Sequence, residues 1–176
     1  MNMRDEEAGL KKRGKIHFER TYKATLDEVW ELWTTREGFE SWWGPEGFTT
    51  KVLKLELKPG GALRYAMTAT GKDQIEFMKQ AGMALTTESK GRIAEVVPKR
   101  RLVFFQTMDF VPGVAPYEMG VWLELQPSGD TVKMRLTLDA AHDEQWTKNA
   151  TMGWESQLGN LAKVLERVGY RAGDVP

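Results

Sequence analysis

The chain has 176 residues, with 25 Lys plus Arg balanced by 25 Asp plus Glu, two histidines and no cysteine. That length fits one domain with a sizeable core. The charge balance offers no basic field for nucleic acid, and the absence of cysteine excludes disulfides, thiolate metal sites and cysteine nucleophiles. No run reaches the ~18 apolar residues of a membrane helix, and no signal-peptide stretch opens the chain, so a soluble cytoplasmic protein without a membrane span is expected.

Residues 1–15 are charged and aperiodic, which predicts a mobile tail. From Ile16 to Lys23, Ile16, Phe18, Arg20 and Tyr22 alternate with His17, Glu19, Thr21 and Lys23, the period of a half-buried strand with His17 facing solvent. Thr25-Leu26-Asp27-Glu28 then forms a capping box, in which Thr25 accepts the Glu28 amide and the Glu28 carboxylate returns to the Thr25 amide. The helix it opens carries Leu26, Val29, Trp30 and Trp33 on one face. A second start at Thr34-Thr35-Arg36-Glu37 leads to Phe39, Trp42 and Trp43, and Gly44-Pro45 stops it.

Strands follow. Leu53, Leu55 and Leu57 share one predicted face, Pro59-Gly60-Gly61 turns the chain, and Leu63, Tyr65 and Met67 resume the alternation. A register centred on that turn sets Glu56 opposite Arg64. The pattern breaks over 70–90, where Asp73-Gln74-Ile75-Glu76 starts a short helix that Gly82 ends, an insertion placed to serve as a lid or as decoration. Strands over 91–97 and 101–108 come next, then a loop, DFVPGVAP. Tyr117, Met119, Val121, Leu123 and Leu125 face inward on the following strand, as do Val132, Met134, Leu136 and Leu138 on the last. The outer face then sets Glu124 opposite Lys133 and Trp122 opposite Arg135, and an outward Trp122 allows a cation–π pair or a homodimer patch.

The stretch from His142 to Gly169 is a long amphipathic helix. Trp146, Ala150, Trp154, Leu158, Leu161, Leu165 and Val168 recur in steps of three and four, and at ~1.5 Å per residue the helix is about 40 Å long. Such a helix needs a broad apolar partner, and the strands supply a curved antiparallel sheet. The order is strand, two short helices, six strands and a C-terminal helix: an α+β fold with the site expected between helix and sheet.

Two distant histidines make no metal cluster, and no metal or cofactor site is predicted. The chain lacks GxGxxG, GxxxxGK[ST] and GxSxG. His142, beside Asp139 and Asp143 at the start of the long helix, is the one candidate for proton transfer. The simpler reading makes Asp139 or Asp143 the helix cap, with His142 a polar end residue. No other catalytic residue is assigned.

Arg20-Thr-Tyr-Lys-Ala-Thr-Leu-Asp-Glu-Val-Trp30 with Trp33-Thr34, Trp42-Trp43-Gly44-Pro45, Gly47-Phe48, Pro59-Gly60-Gly61, Gly91 with Glu95-Val96, Arg101-Leu102, and Gly153-Trp154 with Leu158 and Leu161 occur in one order across 16–168. In that order they resemble the SRPBCC, or START-like, superfamily with the Bet v 1-type helix-grip fold. The resemblance is closest to the family homologous to the activator of the heat-shock-protein-90 ATPase. It implies one helix-grip domain over 16–170, a C-terminal tail over 171–176, and about seven strands wrapped on the long helix. It also implies room between helix and sheet for a lipophilic or aromatic small molecule, lined by Trp30, Trp33, Tyr65, Met67, Phe104, Tyr117, Met119, Met134, Trp146 and Trp154. The same side chains, with Trp42 and Trp43, suit a dry core equally well. Gly153 inside the helix costs about 1 kcal/mol against alanine and permits close approach of another group. The alternatives are a co-chaperone-like protein binder and a cyclase- or hydrolase-like enzyme using His142 with a pocket carboxylate.

Overall fold

Alternation and capping place the elements of the computed structural model, which describes residues 14–171 with side chains through Arg167. They run β1 (Lys15–Tyr22), α1 (Leu26–Thr34), α2 (Arg36–Trp42), β2 (Phe48–Leu55), β3 (Ala62–Ala69), α3 (Lys72–Gln80), β4 (Thr86–Val97), β5 (Arg101–Met108), β6 (Tyr117–Ser128), β7 (Thr131–Asp139) and α4 (Glu144–Arg171). The seven strands form one antiparallel sheet in the order β1-β7-β6-β5-β4-β3-β2. This is the helix-grip α+β fold. The tail expected over 1–15 lies outside the described residues as far as position 13, while Lys15 already begins β1. The C-terminal tail lies outside them from 172, and so does the Val168 side chain.

Because β1 pairs with β7, β1 and β2 end up on opposite edges of the sheet, and α1 and α2 must bridge its concave side. The capping box forms: the Glu28 amide donates to Thr25 Oγ1 at 3.1 Å. The returning Glu28 carboxylate accepts from the Thr25 hydroxyl at 3.2 Å rather than from its amide. Thr35 both ends α1 and caps α2, accepting from the Gly38 amide at 3.0 Å. A Cβ at Gly38 would stand 2.2 Å from the Glu31 carbonyl oxygen, so the tight α1–α2 corner requires glycine there.

The predicted face of α4 holds. Leu158, Leu161 and Leu165 are 2%, 0% and 3% exposed, and each such side chain contributes about 1.5–3 kcal/mol on burial. They join Phe18, Leu123, Met134 and Leu136 in the main core.

Several registers depart from the sequence reading. A bulge between Val52 and Lys54 makes Leu53 the extra residue, so the inward set of β2 is Thr50, Val52 and Leu55, while Leu53 and Leu57 are exposed. The hairpin itself is centred on Pro59, with Leu55 opposite Leu63, which sets Lys54 opposite Arg64, and Arg64 pairs with Glu88 of β4. Glu56 accepts from the Ala62 amide at 3.2 Å and from Lys54 at 3.4 Å, and these contacts hold its carboxyl below the usual range. β4 begins at Thr86, earlier than expected, because its outermost residues pair with β3.

The β6–β7 turn centres on Gly129-Asp130, with Ser128 paired to Thr131. Gly129 has φ 59°, the positive value favoured at the first central position of some two-residue hairpins. Trp122 therefore faces Thr137 and Glu124 faces Arg135. The cation over Trp122 is Lys15, 4.5 Å from its ring centroid, rather than Arg135.

Candidate functional site

The concave side of the sheet is built from one parity of each strand. Leu63, Tyr65 and Met67 (β3), Ser89, Gly91 and Ile93 (β4), Leu102, Phe104, Gln106 and Met108 (β5), and Tyr117, Met119, Val121, Leu123 and Leu125 (β6) share that face through their cross-strand pairs. α4 lies over them, its N-terminus at the end of the sheet where β5 finishes and β6 begins.

The middle of this face is filled by rings. Trp33 stacks with Trp154 at 6.3 Å, Phe39 stacks with Trp43 at 4.4 Å, and Trp43 meets Trp154 edge-on at 5.0 Å. Tyr65 and Phe104 close on Trp43 at 5.8 and 6.1 Å. The sequence makes this cluster by placing three Trp and one Phe on the α1–α2 corner, whose end is tied to α4. Gly44 donates its amide to Gln157 Oε1 at 3.1 Å, and its carbonyl accepts from Asn160 at 2.9 Å. Offset and edge-on aromatic pairs add about 0.5–1.5 kcal/mol each beyond area burial.

Toward the N-terminus of α4 the packing opens. A separate small cluster of Tyr117, Met119 and Ala141, with Met108, Val114 and Trp146 against it, is not continuous with the main core. Between the two clusters, the inward-facing Met67 and Gln106 are only half-buried, as is Met108 in the small cluster. Gly91, paired with both Leu63 and Gln106, puts no side chain on this face. In α4, a Cβ on Gly153 would meet nothing within 4 Å.

One polar group anchors the floor of this opening. The Tyr65 hydroxyl accepts from Gln106 Nε2 at 2.6 Å. Burial pushes its pKa up, offset by hydrogen bonds from the Trp43, Ser89 and Gln106 side chains.

The rim is formed around His142. Its backbone amide donates to the Tyr117 hydroxyl at 3.2 Å, and that hydroxyl lies 2.7 Å from His142 Nδ1. On the other side of the ring, His142 Nε2 lies 3.5 Å from Asp143 Oδ2. Asp143 also caps α4, its Oδ1 accepting from the Trp146 amide at 2.7 Å. Asp139 is engaged elsewhere, with Lys15 and with the Gly120 amide at 2.7 Å. The cap reading and the hydrogen-bonded histidine thus coexist, and the rim is a hydrogen-bonded chain running from the His142 amide through the Tyr117 hydroxyl to Nδ1.

The ten residues expected to line a cavity therefore separate into groups. Trp30, Trp33 and Met134 fill the core at 8%, 1% and 0% exposure. Tyr65, Phe104 and Trp154 belong to the main core with Met67 packed half-buried against it, while Tyr117 and Met119, with Trp146 against them, form the second cluster. Sequence reasoning passed over Gln106, Ser89 and Gly91. The available signal was a glutamine on the apolar parity of Leu102, Phe104 and Met108. Among the described residues no group of three or more His, Asp or Glu side chains is arranged to hold a metal, and no helix is long and apolar enough to cross a membrane. Two grooves lie away from the concave face: one of about 450 Å³ at Glu28, Glu31 and Glu37, the other of about 380 Å³ at Arg100, Lys133 and Arg135.

The sequence profile described as "Activator of Hsp90 ATPase homolog 1-like protein" matches residues 23–166. No curated protein matches. The chain is similar in structure to a protein of Chromobacterium violaceum, at 23% identity and TM-score 0.70, covering 86% of this chain and 96% of that one. It is similar to a Nitrosomonas europaea protein at 18% identity and TM-score 0.68, covering 91% and 96%. An AHSA1 protein of Silicibacter pomeroyi matches at 18% identity and TM-score 0.68, covering 87% and 98%. At these identities the likeness carries the fold and leaves the ligand to the site itself.

Proposed function

This chain belongs to the activator of Hsp90 ATPase homolog 1-like family, and on that premise we propose that it binds a hydrophobic or aromatic small molecule between α4 and the sheet. The observation that carries the reading is the break between the two core clusters, where Met67 and Gln106 face inward yet stay half-exposed and Gly153 looks onto open space. Aromatic and methionine walls with a few fixed polar groups suit a lipophilic ligand.

A ligand that binds only the folded chain at a hundredfold excess over Kd adds about 2.7 kcal/mol of stability. For a chain of this size that raises Tm by about 5–10 °C. A thermal-shift screen of fatty acids, sterols, flavonoids and polyketide-like aromatics, with native mass spectrometry of the purified protein, tests it. No stabilisation by any of these classes, together with no bound lipophile, would refute the proposal.

A second reading, a protein-binding surface, is favoured by Phe77 and Met83 in and beside α3 and by Phe110 in the β5–β6 loop, which are 64%, 49% and 60% exposed. Phe77→Ser with Phe110→Ser separates the two: a small-molecule site keeps its thermal shift, and a protein-binding surface loses its partner.

A further inference from the structure

We propose that Gln106 reads the polar end of the ligand and that this ligand is a neutral lipophile bearing a hydroxyl or carbonyl, not a carboxylate; the inference rests on the cavity reading above. Gln106 lies on the inward parity of β5, opposite Met119 and beside the side-chain-free Gly91. One N–H of its amide is spent on Tyr65 at 2.6 Å. Its carbonyl and second N–H take no other protein partner among the described residues, and the buried Tyr65 hydroxyl that holds it also has the Trp43 and Ser89 side chains beside it. The amide is thereby held by a buried partner and presents one acceptor and one donor to the opening, the pattern that pairs with a hydroxyl or carbonyl.

Charge excludes the anion. The concave-face positions of β3 through β6 carry no charged side chain. The concave-face cation Arg20, on β1, sits in the row of Met134 and Leu125, six residues along β6 from Met119, or about 20 Å at ~3.3 Å per residue. His142 on the rim is hydrogen-bonded to Tyr117, and its Nε2 lies 3.5 Å from the Asp143 carboxylate. A carboxylate moved from water to this site would lose hydration without a countercharge. A site built to hydrogen-bond a substrate group also discriminates against the analogue that lacks it.

Three probes of one shape test this at pH 8 by calorimetry on the full chain: pentylbenzene, 4-pentylphenol and 4-pentylbenzoate. In the wild type, 4-pentylphenol should bind about tenfold tighter than 4-pentylbenzoate, or about 1.4 kcal/mol, and tighter than pentylbenzene. Gln106→Leu should bring the phenol-to-pentylbenzene affinity ratio down to about one. Gln106→Lys should reverse the order, with benzoate ahead. Benzoate matching phenol in the wild type, or an unchanged phenol-to-pentylbenzene ratio in Gln106→Leu, overturns the inference while the cavity stands. If none of the three binds the wild type, this inference falls, and the cavity reading falls with it only when the thermal-shift screen and native mass spectrometry are also silent. Should Gln106→Leu fail to fold, the wild-type ratio and Gln106→Lys decide.

Discussion

Substitution at Gly153 separates an open site from a filled core. The residue lies inside α4 and lacks the positive φ that would demand glycine. A Cβ there meets nothing within 4 Å. Gly153→Ala should therefore gain the helix-propensity difference of about 0.8–1 kcal/mol, part of it by restricting the unfolded chain. In a chain of this length that raises Tm by about 2–4 °C. Leucine has nearly the propensity of alanine, so Gly153→Leu should keep most of the gain while its side chain occupies the space beside Trp154. Ligand-induced shifts should then fall by tenfold or more in apparent affinity. Urea unfolding and calorimetry of the three proteins, with and without 4-pentylphenol, provide the readout. If Gly153→Ala loses more than about 0.5 kcal/mol, or Gly153→Leu loses the roughly 1–3 kcal/mol of an overpacked core, the space is not open and the reasoning fails.

Leu161→Ala, at a fully buried position in the grip of helix on sheet, should cost about 2–5 kcal/mol in urea unfolding, and a loss under about 0.5 kcal/mol would mean α4 does not hold the sheet. Burial pushes the Tyr22 phenol up to about 12, and its hydroxyl is buried without a hydrogen-bond partner. Because the unfolded phenol ionises first, the stability this group contributes is complete below pH ~10 and is lost as pH rises toward 12, on the order of 2 kcal/mol. Tyr22→Phe should flatten that alkaline loss and change neutral stability by less than about 1 kcal/mol, and a steep loss persisting in the variant would reassign it. Trp122→Glu should leave the sedimentation profile unchanged, since Lys15 and Phe105 already cover the ring; a shift from dimer to monomer would restore Trp122 to an interface.

The residues themselves determined the elements. Period-two apolar runs, the Thr25 capping box, the Thr35 start, the Gly44-Pro45 stop and the 3.6-residue stripe of α4 are local signals. Each acts through backbone geometry and burial of one face, so the order of strands and helices and the membership of the core were legible without coordinates. What lay beyond the sequence was anything set by a long-range pairing. Centring of the β2–β3 hairpin on Pro59 moved Glu56 away from Arg64, and the Gly129-Asp130 turn shifted Trp122 from Arg135 to Thr137, because one displaced residue changes every cross-strand partner beyond it. The site belongs to the same class. Trp33, Trp154 and Tyr117 look alike as apolar positions in the chain, yet tertiary packing puts the first two in a filled aromatic cluster and the third on an outer rim. The role proposed for Gln106 depends on Tyr65, two strands away, which accepts one of its hydrogens, and on Gly91, which leaves the neighbouring position bare. Periodicity says which face a residue takes; only the closing of α1, α2 and α4 over the sheet decides which part of that face is filled and which is left open.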